Sequence, residues 1–182
     1  MRPQKNKIMK KLFGLLFIAI AFTACSSDDD NSSDTTSLEG TWKMTAFNTE
    51  NAYDLNNDGM ASTSVMDETN CYQNETLVFN ADGATGTAVN SSYAEIELTL
   101  VAGTTDEYEY TVTCVSEDDS TPFAYIQNGN NVTLTVAGSN QAATLSGNTL
   151  TYVIQEGFFV EVENNGTTAT VTEDITFVFT KQ

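Results

Sequence analysis

The sequence predicts an all-β domain, an antiparallel up-and-down β-barrel of about eight to ten strands. Three observations predict it. Apolar and polar residues alternate with period two along much of Leu38 to Gln182, while helical periodicity is hard to find. Turn signals separate the alternating stretches at Asp82-Gly83, Ala102-Gly103, Asn128-Gly129, Gly138-Ser139, Gly147-Asn148 and Asn165-Gly166; several are short enough for hairpins, which pair neighbours antiparallel. The chain has only two prolines, Pro3 and Pro122, so no strand core is expected to be interrupted. A sandwich shares this pattern, but closure into a barrel removes the edges that invite aggregation.

The clearest strands are Glu95–Leu100, Glu107–Cys114, Asn131–Val136 and Ile175–Thr180, each with one apolar and one polar face. Further strands are expected at 41–48, 74–80, 141–145, 149–155 and 158–163. Parity assigns to the interior Trp42, Met44, Leu77, Phe79, Ile96, Leu98, Tyr108, Tyr110, Val112, Leu134, Tyr152, Ile154, Phe177 and Phe179, with Ala46 on the same face of strand one as Trp42. These side chains either line a cavity for an apolar molecule or fill a small barrel; the abundance of rings favours filling. Tyr108, Tyr110 and Tyr152 are the candidate ligand-binding residues, because a buried hydroxyl needs a partner that a ligand could supply.

The N-terminus reads as an address. Arg2, Lys5, Lys7, Lys10 and Lys11 precede an apolar run from Leu12 to Ala24, shorter than the roughly 20 residues that span a bilayer, and so a removable secretory signal. The cleavage region Phe22-Thr23-Ala24-Cys25 resembles the bacterial lipobox, which implies that Cys25 is acylated and becomes the new N-terminus; Phe22 departs from the usual leucine. Ser26 to Ser37 contains no apolar residue and reads as a flexible tether. Its Asp28-Asp29-Asp30 run resembles the acidic tags that send some Gram-negative lipoproteins to the cell surface; a solvated spacer on a periplasm-facing lipoprotein is the alternative. The expected organisation is a signal peptide over 1–24, a lipid-anchored acidic tether over 25–37 and a barrel domain over 38–182.

Charge and cysteine content narrow the function. The formal charge is −18 over 182 residues. Five of the seven cations precede residue 12, so loss of the signal leaves 25 acidic residues against Lys43 and Lys181, a net −23. Such a surface does not hold nucleic acid through its own charges. With no histidine in the chain, Ser-His-Asp and Cys-His catalysis and every His-based metal site are excluded. Cys71 and Cys114, the pair left once Cys25 is lipidated, are expected to form a disulfide in an oxidising compartment.

Two local patterns carry candidate chemistry. Asp54-Leu55-Asn56-Asn57-Asp58-Gly59 places oxygen donors at alternate positions before a glycine, the first half of a calcium loop. Asp54, Asn56, Asp58 and the Met60 carbonyl would be ligands. Val65 stands where the usual closing glutamate would be, and Asp67 or Glu68 could complete the set instead. An Asx-rich turn with solvated carboxylates is the alternative. The paired acids Glu95 with Glu97 and Glu107 with Glu109 lie on the polar strand face, where exposed carboxylates make poor general acids, and Glu117-Asp118-Asp119 reads as a charged loop.

Gly40-Thr41-Trp42 at the head of strand one resembles the lipocalin signature, in which the tryptophan plugs the closed end of the barrel. It is accompanied by the lipobox, the acidic tether, the Phe79-Asn80-Ala81-Asp82-Gly83 turn, two later cysteines and the ending Phe177-x-Phe179-x-Lys181. This ensemble resembles the lipocalin-like lipoproteins of Gram-negative envelopes and covers nearly the whole chain. The resemblance implies a lipocalin- or calycin-like barrel whose closed end is formed by Gly40, Trp42 and Lys181, the lysine standing where lipocalins carry another cation over the ring. The expected function is a non-catalytic binding module for a small apolar or amphipathic ligand, held by outer-membrane lipid through Cys25 and surface-exposed. A structural or adhesive lipoprotein with a filled barrel is the alternative, and a carboxylate-dependent hydrolase a distant one.

Overall fold

The computed structural model describes residues 36–104, 108–164 and 167–182. The signal segment, the Cys25 lipobox, the tether up to residue 35, Glu107 and the Asn165-Gly166 turn lie outside the described residues.

Nine strands follow one another: β1 (Gly40–Tyr53), β2 (Ser62–Ser64), β3 (Thr76–Phe79), β4 (Thr85–Leu100), β5 (Tyr108–Asn128), β6 (Asn131–Val136), β7 (Ser139–Ser146), β8 (Thr149–Asn164) and β9 (Thr167–Lys181), with one helical turn, α1 (Val65–Glu68), after β2. Every pairing is antiparallel, and β9 returns to β1, so β1 and β3 through β9 close an eight-stranded up-and-down barrel. β2 is a flap on the far end of β1, paired at Asn48 and Tyr53. The connection after β1 had no apolar periodicity to announce either β2 or α1.

The strands owe their course to alternation and to tight turns. The β6–β7 hairpin is closed by Val136 opposite Ser139, so its two loop residues are Ala137 and Gly138, one position before the expected Gly138-Ser139. Both have positive φ, 49° and 85°, the backbone that matches the twist of the flanking strands. Pro122 lies inside β5 opposite Thr87 without interrupting the strand. It is tolerated because Tyr125 N–H points to Ala84 O on the β4 side. The Pro122 nitrogen therefore faces the other side, where pairing with β6 starts only at Ala124.

Bulges changed three other expectations. A register shift between Met44 and Ala46 turns Phe47 and Thr49 inward, 7 % exposed each, and Ala46 leaves the face of Trp42. The segments 149–155 and 158–163 are one strand, β8, bent between Ile154 and Phe158 where Glu156 adopts a φ of 51°. Glu117-Asp118-Asp119 belongs to β5 rather than to a loop, exposed beside the shift between Asn90 and Ser92.

β4–β5 and β8–β9 are much longer than their neighbours. β3 reaches only Thr76–Phe79 along β4, and β7 only Tyr152 along β8. Beyond those points the two hairpins continue as ribbons above the barrel wall, at the end opposite Trp42.

Candidate functional site

The end of the barrel beside Gly40 is solid. Trp42 is fully buried, its Nε1 donates to Leu38 O at 2.7 Å, and Phe79 meets it edge to face at 6.2 Å. Lys181 Nζ lies 5.7 Å from the indole centroid and donates to Ser37 O at 2.7 Å. Gly40 has a φ of +116°, and a Cβ there would meet Lys181 Cε at 3.5 Å, so glycine alone gives strand one this start without strain. Phe79, Phe123 and Tyr125 stack edge to face above it. Gly86 admits the Phe123 ring, for a Cβ at that position would sit 2.3 Å from Phe123 Cζ.

Higher in the barrel the packing changes. Phe47 lies 4.9 Å from Tyr72 and 4.7 Å from Phe177, Phe177 lies 5.2 Å from Tyr152, and Tyr152 stacks on Phe179 at 5.9 Å. Tyr72, Tyr152 and Phe177 are only half-buried although they face inward. Inward-facing Ala88, Ile96, Val112 and Val136 likewise keep accessible surface. The interior is thus closely packed at the closed end and less completely buried further up.

A third group sits at the mouth. Tyr53 packs against Phe158 at 5.0 Å and against Tyr110 at 6.2 Å, bridging the two ribbons. Its hydroxyl donates to Glu173 Oε1, which also accepts from Asn51 Nδ2 at 2.6 Å, while Oε2 accepts from Asn51 N–H at 3.0 Å. Glu173 is 4 % exposed. Burial alone would raise its pKa, but the donors from Asn51, Tyr53 and the Glu50 backbone outweigh burial and hold it below the usual carboxylate value. Burial and the bond to Glu173 together push the Tyr53 phenol well above its ordinary pKa.

The 54–60 loop folds across this mouth. Asn57, with φ 58°, donates from Nδ2 to Tyr110 O at 2.7 Å and accepts from Tyr110 N–H at 3.3 Å, so its amide imitates a strand neighbour for β5. Asp54 accepts from Asp58 N–H and Gly59 N–H, both at 2.9 Å; Asn56 Oδ1 accepts from Asp58 N–H at 2.9 Å, and Asp58 Oδ1 from Met60 N–H at 2.8 Å. Glu68 is buried, and its Oε2 accepts from Leu55 N–H at 3.0 Å and Asn56 N–H at 3.3 Å, tying α1 to the loop. Asp67 is exposed on α1. Among the described residues no three His, Cys, Asp or Glu side chains are gathered as a metal cluster.

The far end of the connection is fixed by the Cys71–Cys114 disulfide, whose Cα atoms are 5.0 Å apart. Cys71 is fully buried, and Cys114 lies on β5. Beside them Tyr72 accepts from Ala94 N–H at 3.2 Å, and Glu75 takes N–H groups of Ser92 at 3.2 Å and Asn74 at 2.9 Å. Three buried glutamates, Glu68, Glu75 and Glu173, therefore hold the connection and the mouth, all through neutral donors.

Of the sequence-predicted tyrosines, Tyr110 joins the mouth group and Tyr152 the ring group below it, while Tyr108 lies further out on β5 opposite Leu100. They do not form one site. Tyr53, Tyr72, Asn57, Phe158, Glu75 and Glu173 were not foreseen; Glu68 was expected only as a candidate calcium ligand. Glu95, Glu97 and Glu109 are exposed on the outer face, where parity placed them.

A profile of the lipocalin-like domain family matches residues 38–152. The chain belongs to the lipocalin-like domain family. The matched segment starts at Leu38, the carbonyl that receives Trp42, and runs to Tyr152, so it includes Gly40 and Trp42 of the closed end, the loop over the mouth and the disulfide, but not Lys181. Comparison with curated proteins and with solved structures gave no significant match. Lipocalin-like barrels are in general binding rather than catalytic domains, and the graded interior of this lipocalin-like barrel accords with that.

Proposed function

We propose that this lipocalin-like barrel is an envelope-anchored, non-catalytic binding module that takes a small apolar or amphipathic molecule through the mouth opposite Trp42. The observation that carries the reading is the graded interior: closed-end residues Trp42, Phe79 and Leu150 are at most 2 % exposed, whereas Tyr72, Tyr152 and Phe177 face inward and stay accessible. Acylation of Cys25 would anchor the chain to outer-membrane lipid, on the cell surface if the Asp28–Asp30 run acts as an export tag. The geometry of the first described residues supports this arrangement. Thr36 O accepts from Gln127 Nε2 at 2.9 Å and Ser37 O from Lys181 Nζ, so the first described residues lie at the closed end, and an anchor at Cys25 would leave the mouth free. A solid structural or adhesive barrel is the second reading, favoured by the packing of the closed end alone.

Native mass spectrometry of the protein extracted from its own envelope tests both halves. The expected spectrum shows a chain that begins at Cys25 with diacylglyceryl and acyl additions, together with a small companion mass released on collisional activation. A chain that retains residues before Cys25 would refute the anchor, and the absence of any companion mass would favour the solid barrel.

The same proposal gives the 54–60 loop a structural calcium ion, with Asp54, Asn56, Asp58 and the Met60 carbonyl as ligands and Asp67 or Glu68 completing the set. The support is chemical: hard oxygen donors at the spacing calcium uses, on a loop already curled by bonds to its own backbone. Because Glu68 is engaged by Leu55 and Asn56, Asp67 is the better closing ligand. At millimolar calcium a weak extracellular site stabilises by about 1 kcal/mol. EDTA is therefore expected to lower the melting temperature by about 3 °C, and Asp58→Ala to abolish that sensitivity. A melting curve indifferent to EDTA would refute the ion.

A further inference from the structure

Three tyrosines of the upper barrel and its mouth have hydroxyls with different fates. Tyr53 donates to Glu173, and Tyr72 is occupied by Ala94 N–H. The Tyr152 hydroxyl has no hydrogen-bond partner among the described residues, although its ring packs against Phe177 and Phe179 on the inner face of the barrel. Burial pushes its pKa well above the ordinary phenol value, so it is a neutral donor at any physiological pH. The residue nonetheless keeps accessible surface at the level where β7 leaves β8. Among the described residues no buried side-chain polar atom lacks a partner, so this hydroxyl is an accessible donor that an occupant could engage.

The interior also lacks any cation. Beyond residue 11 the chain has two lysines. Lys181 is committed to Trp42 and Ser37 at the closed end. Lys43 has the opposite parity from Trp42 and pairs with Thr76 and Thr180 on the outer face. A carboxylate brought to Tyr152 would be desolvated without a counter-charge. It would also have to pass the ionised, buried Glu173 and the field of a strongly acidic surface. The rings that offer contact, Phe47, Tyr72, Phe177 and Phe179, suit a flat apolar body.

We propose that the lumen takes an uncharged, flat apolar molecule that presents a hydrogen-bond acceptor, a carbonyl or an ether, to the Tyr152 hydroxyl, and that it rejects long-chain carboxylates. This rests on the reading of the barrel as a ligand binder and names the chemistry of what it binds.

The test uses three probes titrated by fluorescence into the purified protein: 6-propionyl-2-(dimethylamino)naphthalene, a neutral ketone; 2-(dimethylamino)naphthalene, the same rings without the carbonyl; and cis-parinaric acid, an anionic chain. The ketone is expected to bind about tenfold more tightly than its parent, as one hydrogen bond allows, and at least tenfold more tightly than the carboxylate. Tyr152→Phe should erase the preference for the ketone and leave the parent's affinity unchanged, which also reports that the variant is folded. Equal affinity of wild type and Tyr152→Phe for the ketone, or binding of cis-parinaric acid as tight as the ketone, would overturn the inference and leave the barrel a binder. Failure of the wild type to bind any of the three would overturn the binding reading itself.

Discussion

Trp42→Ala is expected to lower the unfolding free energy by about 3–5 kcal/mol, against a total of about 5–15 kcal/mol for a domain of ordinary stability. The effect has two sources. The indole is fully buried at the point where β1 pairs both with β3, through Leu77, and with β9, through Lys181, so its removal leaves a cavity where the barrel closes. It also strands Leu38 O, the acceptor of Trp42 Nε1, an unmade bond worth about 1–3 kcal/mol. Trp42→Phe separates them: the ring is partly kept and the donor lost, so its cost should fall between wild type and alanine. Lys181→Ala removes a cation–π contact of about 0.5–1 kcal/mol at a partly exposed site and should be the mildest. Urea denaturation checks the order through the midpoint at an unchanged slope. A Trp42→Ala cost below that of Lys181→Ala would refute the closed end as the keystone of the barrel.

What the sequence disclosed and what it hid follow from one property of strands. Alternation reports facing only while the register runs unbroken. It therefore placed Leu77 and Phe79, and Phe177 and Phe179, inside, and the outer acids Glu95, Glu97 and Glu109 outside. It failed at the bulge after Met44, where Phe47 took the inward place expected of Ala46, and at Glu156, where two expected strands are one bent β8 carrying Phe158 to the mouth. The buried acids were legible in principle. Extending the inward parity of Leu77 and Phe79 by one step reaches Glu75, and that of Ile175 and Phe177 reaches Glu173; an acid on the inner face of a strand is a signal in itself, because burial demands donors. Tyr53, Asn57 and Tyr72 had no such signal. They lie at or within the connection after β1, where no period exists, and tertiary contacts alone decide what they touch.

That connection makes reduction of the Cys71–Cys114 bridge the other large expected effect. The cysteines are 43 positions apart, and a closed loop of that length is worth about 4 kcal/mol in the chain-entropy model. The loss should not be uniform. The bridge ties the buried Cys71 to the ribbon part of β5, where β4 and β5 have run past β3 and β6. Asn57 on Tyr110 and Tyr72 under Ala94 are the neighbouring fastenings on the same ribbon. Reduction should therefore release the ribbon and the loop over the mouth before the barrel wall opens. Dithiothreitol is expected to shift the urea midpoint of the wild type downward and to leave a Cys71→Ala, Cys114→Ala double variant unmoved, since that variant already carries the loss. Amide exchange should quicken at Ala94–Leu100 and Tyr110–Cys114 in both reduced forms, while Leu150 and Phe179 keep their protection. Uniform exchange across both regions would mean that the bridge acts on the whole barrel and not on its mouth. If the barrel binds the neutral naphthyl ketone as proposed and the loop guards entry, off-rates should rise with reduction while the preference proposed for Tyr152 stays the same.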